Sequence, residues 1–261
     1  MKNSLEKSKW IGKTIYHYDS IDSTNVQAKR LAEQGASHGT LVIAKHQSAG
    51  RGRRGRSWES KEGDSLLMSL ILRPEIDPSK ASMMTLVQAL AVRKGIQTET
   101  GLEAGIKWPN DLLLKEKKVC GILTEMVMKE GETDFIIIGT GINLNQREFP
   151  GKIQETATSL ALELKEERVD VMSLTERIAL EFETYYKAFL KTGNLSVLQE
   201  EYNRFLINRN CQVRVLDPAG EYSATALGIN EKGELLVKTS KGQICPVYAG
   251  EVSLRGTKGY I

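Results

Sequence analysis

Three apolar runs joined by two short polar turns fix the middle of this chain. Leu112-Leu113-Leu114 is followed by the turn 115–118 and the run 119–127; the turn 130–134 then leads into Phe135-Ile136-Ile137-Ile138. Connections this short cannot carry a crossover, so the runs must form an antiparallel meander. Residues 14–18, 41–44 and 65–72 read as three further strands ahead of it. Val26, Leu31 and Ala32 give a helical stripe that Gly35 stops, and residues 83–96 read as a buried helix. Helical patterns at 157–165, 173–190 and 195–206 follow. From Cys211 the period switches to two, with short strands at 212–216, 223–229, 235–237 and 252–254 and turns at 217–220 and 230–233. The expected organisation is α+β, with a large domain over 1–207 and a small β-barrel over 208–261.

Composition narrows the class. A hydrophobic content of 40% supports a substantial core, and a net charge of +3 is too small for a dedicated nucleic-acid binder. Cys120, Cys211 and Cys245 form no C-x-x-C pair, and His17, His38 and His46 show no metal-ligand spacing. No metal site built from histidine or cysteine is expected. The start of the chain is polar and charged, and no apolar run reaches the ~20 residues of a membrane span. These features point to a soluble cytoplasmic protein with no membrane partner.

Residues 47–58, Gln-Ser-Ala-Gly-Arg-Gly-Arg-Arg-Gly-Arg-Ser-Trp, cannot contribute to a core. Four guanidinium groups repel one another, and three glycines make ordering costly. The expectation is an anion-binding lid, mobile when empty and ordered by its ligand, because the arginine fork grips phosphate and carboxylate at two points. Gly50 to Ser57 falls one residue short of a P-loop, but Arg56 stands in place of the lysine and no helical stripe follows. Gly139-Thr140-Gly141 lacks the third glycine of a dinucleotide fingerprint. Arg-Gly repeats also bind single-stranded nucleic acid, but Trp58 is the lone aromatic near the loop.

Two other stretches carry chemistry. Ser23-Thr24-Asn25 precedes the first helix, where simple capping is the preferred reading on spacing alone. Ile106-Lys-Trp-Pro-Asn-Asp111 packs a cation, an aromatic, a proline and two polar acceptors into six residues, although a plain turn would explain most of it. Arginine loop, polar helix start and Lys-Trp-Pro-Asn-Asp together suit a nucleotide beside a carboxylate, as in adenylation. Like charges 4 Å apart repel by ~1 kcal/mol in water and ~4 kcal/mol at an effective dielectric of 20, so such a site needs cations and no protein nucleophile. The residues alone leave two readings open: adenylate-forming, or anion-binding.

In combination and order, Asp-Ser-Ile-Asp-Ser-Thr-Asn (19–25), the Arg-Gly stretch (47–58), Lys-Trp-Pro-Asn-Asp (107–111) and Lys-Val-Cys-Gly-Ile-Leu-Thr-Glu (118–125) resemble the biotin protein ligases. Gly-Thr-Gly-Ile-Asn (139–143) and Gly-Glu-Val-Ser-Leu-Arg (250–255) extend the resemblance. It implies a mixed, largely antiparallel sheet flanked by helices, SH2-like, followed by an SH3-like barrel. It implies ATP and Mg²⁺ as co-substrate and activator, biotinyl-5′-AMP and pyrophosphate as products of the first step, and transfer to one lysine of a biotin carboxyl carrier protein. By position, Ser23, Thr24, Asn25, Gln47, Arg51, Gly52, Arg53 and Lys118 should bind biotin. Arg51, Arg53 and Lys118 should act in catalysis, and Arg53, Arg54, Trp58, Asn110, Asp111, Asn143 and Arg255 should serve the nucleotide. Only about 13 residues precede the first strand, so no winged helix-turn-helix and no DNA binding are expected. The adenine-covering loop, expected near 147–158, holds no tryptophan. Sheet-edge association offers a route to a homodimer. A lipoate–protein ligase is the nearest rival, sharing fold and adenylation; a non-enzymatic binding module is the farther one.

Overall fold

Seven strands form the main sheet in the order β1-β2-β3-β7-β6-β5-β4. The computed structural model describes residues 4–59, 61–165, 168–217, 220–248 and 253–256. The strands are β1 (Ile15–Ile21), β2 (Leu41–Gln47), β3 (Ser65–Leu72), β4 (Gly105–Lys107), β5 (Asp111–Leu114), β6 (Lys117–Lys129) and β7 (Glu132–Asn143). Helix α1 (Thr24–Glu33) crosses over between β1 and β2, which pair parallel; every other neighbouring pair is antiparallel. The sheet is therefore mixed and largely antiparallel, and the meander predicted from 112–143 is β5-β6-β7.

Alternation along the strands sends successive side chains to opposite faces. Val42, Ile71, Phe135 and Ile137 meet Ala28 and Ala32 of α1 on one face. Ile43, Leu70, Leu72, Ile136 and Ile138 join the larger core on the other, built around α2 (Met83–Thr100) and α5 (Val171–Thr192). Both faces of β7 are covered, which is why residues 135–138 are apolar without a break. Helix α2 is buried on nearly every side, as an evenly apolar helix must be.

Helix α3 (Ile153–Thr156), α4 (Leu160–Leu164) and α6 (Gln199–Phe205) are short. The helix expected at 157–165 starts later, because the Ser159 side chain accepts from Leu162 N and caps α4. The stretch expected to be helical from 195 is a turn up to α6. Strand β4 and helix α3 carry too little pattern to be read from sequence. The predicted C-terminal barrel is an antiparallel sheet of five strands, order β11-β10-β9-β8-β12. These are β8 (Gln212–Asp217), β9 (Gly220–Ile229), β10 (Leu235–Thr239), β11 (Ile244–Val247) and β12 (Ser253–Gly256). Its apolar side, including Val213, Ala226, Leu235 and Val237, is continuous with the main core. Residues 218–219 of the predicted turn and residues 250–252 of the last motif lie outside the described residues.

Candidate active site

The floor of the site is made where side chains are missing. On the face of β7 that carries Phe135 and Ile137, the next two positions are Gly139 and Gly141. Gly141 lies opposite Gly121 of β6 and opposite Leu67 of β3, and Gly139 lies opposite Leu123 and Ser69. Close approach explains the glycines. A Cβ on Gly139 would come 2.1 Å from Asn25 Oδ1. A Cβ on Gly141 would come 2.7 Å from Trp58 Cε2, and one on Gly121 2.9 Å from Trp58 Cζ3. The Trp58 ring thus rests on two facing glycines, with the Lys118 ammonium 5.5 Å from its centroid.

Above this floor the Arg-Gly segment is a small hairpin. Arg51 bridges Ser57, Gly52 N donates to Arg56 O at 2.7 Å, and Trp58 N donates to Gly50 O at 2.9 Å. Arg54 and Gly55 at the tip have φ of 57° and 72°, as the two central residues of a type I′ hairpin turn require. Arg51, Arg54 and Arg56 are exposed, while Arg53 turns inward and donates to Asn110 Oδ1 at 3.1 Å. Burial lowers the Arg53 pKa from its ordinary value, an effect opposed by the nearby Asp111 carboxylate.

The β4–β5 turn supplies the polar end. Lys107 and Trp108 are 4% and 1% exposed, and the Trp108–Pro109 peptide is cis. Asn110 Nδ2 donates to Asp111 Oδ1 at 3.2 Å and to Ile122 O at 3.2 Å, which locks the turn to β6. Lys118 Nζ lies 2.7 Å from Asp111 Oδ1. At the other end, Ser23 occupies the cap position of α1 without making a side-chain capping bond. Ser23 thus makes no side-chain cap, and the Thr24 and Asn25 side chains turn to the sheet instead. Thr24 N and Thr24 Oγ1 both donate to Gln47 Oε1, at 2.6 and 3.0 Å.

Ser23, Thr24, Asn25, Gln47, Arg51, Gly52, Arg53, Arg54, Trp58, Asn110, Asp111 and Lys118 all line one cavity of about 130 Å³. Asn143 does not line it. Its amide donates to Thr158 O at 3.0 Å, and Thr158 N in turn donates to Lys118 O at 2.9 Å. Arg255 sits in β12 opposite Arg214; its side chain lies outside the described residues. Leu67, Lys107, Gly121, Leu123, Gly139 and Gly141 also line the cavity and were not predicted as site residues. The glycines had a signal, being isolated glycines in strand patterns. Among the described residues, no group of three His, Cys, Asp or Glu side chains could hold a metal ion.

Residues 18–143 match the model of the biotin/lipoate A/B protein ligase family, and residues 207–255 match the biotin protein ligase C-terminal domain. The bifunctional ligase/repressor BirA of Bacillus subtilis is 40% identical over 252 residues, covering 95% of this chain and 76% of that protein. The chain belongs to the biotin/lipoate A/B protein ligase family. The biotin–[acetyl-CoA-carboxylase] ligase of Mycobacterium tuberculosis is 31% identical, covering 88% of the ligase described here and 85% of its relative. The structure of biotin protein ligase from Aquifex aeolicus in complex with biotin and ATP superimposes with a TM-score of 0.83 at 31% identity, covering 94% of this chain and all of that one. The ligase is an enzyme of the biotin protein ligase type, and no described helix is long and apolar enough to cross a membrane.

Proposed function

We propose that the ligase activates biotin with ATP and passes it, through biotinyl-5′-AMP, to a lysine of a biotin carboxyl carrier protein of a biotin-dependent carboxylase such as acetyl-CoA carboxylase. The observation that carries this reading is the convergence of Arg53, Asn110, Asp111 and Lys118 at one end of a cavity whose other end is the glycine floor beneath α1. The acid lies beside the Trp58 ring that covers the floor, between the start of α1 with Gln47 and the hairpin. Its carboxylate oxygen forms a bond to the α-phosphorus of ATP, and the bond from that phosphorus to the bridging oxygen breaks to release pyrophosphate. Arg53 and Lys118 neutralise the charges that would otherwise hold the reactants apart. Arg51 and Gly52 close the hairpin over the adenylate. The buried indole N–H of Trp58 has no acceptor, so it is a donor for a ligand at the adenylate junction.

The nucleotide takes the side of Arg54, Asn110, Asp111, Asn143 and Arg255. A neighbouring cleft of about 660 Å³, lined by Lys115, Lys117, Arg147, Phe149 and Thr158, is the place for the base, with half-buried Phe149 as the aromatic it can stack on. Mg²⁺ fits this donor set. It is usually held by one or two carboxylates, substrate phosphates and water, and Asp111 and Asn110 offer the oxygens. When bound it neutralises phosphate charge. In the second half-reaction the carrier lysine amine forms an amide with the acyl carbon, and AMP leaves.

Further proposals accompany this reading. The ligase works in the cytoplasm, divides into domains at 207/208, and has an open sheet edge at β1 through which a homodimer could form. The Bacillus subtilis relative is named a repressor as well as a ligase; for this chain we propose no DNA binding, to be checked by mobility shift. Pyrophosphate release is the primary test. Release that needs both biotin and ATP is expected. Release with lipoate or octanoate instead would move the substrate, and no release with any acid would leave a binding protein.

A further inference from the structure

Asn25 is held by three strands at once. Its Nδ2 donates to Glu125 Oε2 at 2.6 Å and to Leu123 O at 3.3 Å, both on β6. Its Oδ1 accepts from Ser69 Oγ of β3 at 2.7 Å and lies over Gly139 of β7. The amide cannot be reversed, because the Leu123 carbonyl and the Glu125 carboxylate only accept and must face the nitrogen. Both amide protons are therefore used within the protein, and none is left for a ligand.

We infer that Asn25 serves the site as a post, and that Glu125, which does not line the cavity, is the positioning residue that fixes it. Asn25 seats the first turn of α1 on the floor. The preceding residue, Thr24, holds Gln47 by two bonds, and Gln47 Nε2 packs beside Gly50 at the root of the hairpin. Glu125 thus sets the end of the cavity that receives the acid. The polar end, with Arg53, Asn110, Asp111 and Lys118, is tied to β6 through Ile122 and not through Asn25. Glu125 is exposed, so its removal creates no cavity, although it leaves one proton of the buried Asn25 amide without its acceptor. Losing the carboxylate frees the amide to rotate and the helix start to drift. The charged acceptor is what makes the bond strong.

This assignment rests on the ligase reading, so its test has an arm that does not. In Glu125→Ala, the KM for biotin should rise about tenfold, the loss expected for a hydrogen bond to a charged acceptor. The KM for ATP should stay as in the wild type, and the melting temperature should fall by no more than about 5 °C. Glu125→Gln, which can still accept from Asn25, should restore the biotin KM to within about twofold. Independently of any substrate, the Asn25 side-chain amide should give a slowly exchanging proton pair in NMR spectra of the wild type and of Glu125→Gln, lost in Glu125→Ala. An unchanged biotin KM, or a parallel rise in both KM values, would overturn the proposal. So would a freely exchanging Asn25 amide in the wild type, whatever acid the enzyme uses. A protein that keeps the protected amide but turns over no biotin would sink the ligase reading and leave the post in place.

Discussion

The indole nitrogen of Trp108 donates to the carbonyl of Gly233, 3.0 Å away, across the junction between the two sheets. Gly233 stands in the turn from β9 to β10, and Asn230 holds that turn by accepting from Lys232 N and Glu234 N, each at 3.0 Å. Trp108 belongs to the Lys-Trp-Pro-Asn-Asp turn that presents Asn110 and Asp111 to the cavity. The second sheet therefore braces the polar end of the site directly.

Trp108→Phe keeps most of the ring burial, which at 150–250 Å² is the larger contribution by several-fold. It removes the donor and leaves a buried carbonyl without its partner. We expect a loss of about 1–3 kcal/mol in urea unfolding, together with a raised KM for ATP and little change for biotin. An unaltered ATP KM with full stability would show that the junction does not brace the turn.

Gly141→Ala should strike the opposite end. The added methyl would stand 2.7 Å from Trp58, whose ring must then leave the floor. Overpacking of this kind costs about 1–3 kcal/mol, and if the displaced ring takes that cost from binding, the Kd for the acid weakens about five- to 150-fold. Calorimetric titration with biotin measures it directly, and wild-type affinity would refute the floor.

Arg53→Gly removes the inward-facing arginine and leaves the hairpin backbone intact, since its bonds run between Gly52 and Arg56 and between Gly50 and Trp58. The adenylate should escape and acylate bystander lysines. Incubating the variant with biotin, ATP and an unrelated lysine-rich protein should label that protein several-fold more than the wild type does; equal labelling would count against the role.

His38 gives a pH dependence. It stacks on Trp10, and its Nδ1 accepts from Arg73 N at 3.0 Å, so protonation there destroys a bond. Burial lowers its pKa below the ordinary 6.5. In the window between the folded and unfolded values the unfolded chain binds more protons, so stability rises with pH. Unfolding midpoints should therefore be level above pH 7 and fall as the pH drops below about 6.5. In His38→Asn, whose Oδ1 can take over as acceptor, this part of the slope should vanish.

Much of the architecture was readable because both faces of the central strands are apolar and the turns between them are short. Strand β3 was bounded to the residue, and the start of α2 likewise. The parallel pairing of β1 with β2 was not, because it depends on where α1 returns the chain. Strand β4 has three residues, and its neighbouring Pro109 reads as turn. At the site, arginines, lysines and the Asn-Asp pair announced themselves by type. Gly121 and Gly141 showed only as isolated glycines in strand patterns, because their pairing is a matter of register between β6 and β7. Glu125 and Ser69 meet only through Asn25, 100 and 44 residues away in sequence. Thr24 and Asn25 misled, since the residue types that cap a helix are also those that bond to a sheet beneath it.

The three floor glycines also give the pocket a direction in which it cannot vary. Hydrogen is already the smallest side chain, so no substitution at 121, 139 or 141 can deepen the cavity, and an added carbon at any of them meets Trp58 or Asn25 before it meets a ligand. Selection or engineering toward a different acid must therefore work through the walls, at Leu67, Leu123 or the hairpin. The range of acids open to this enzyme is thus bounded on one side by the backbone of the sheet itself.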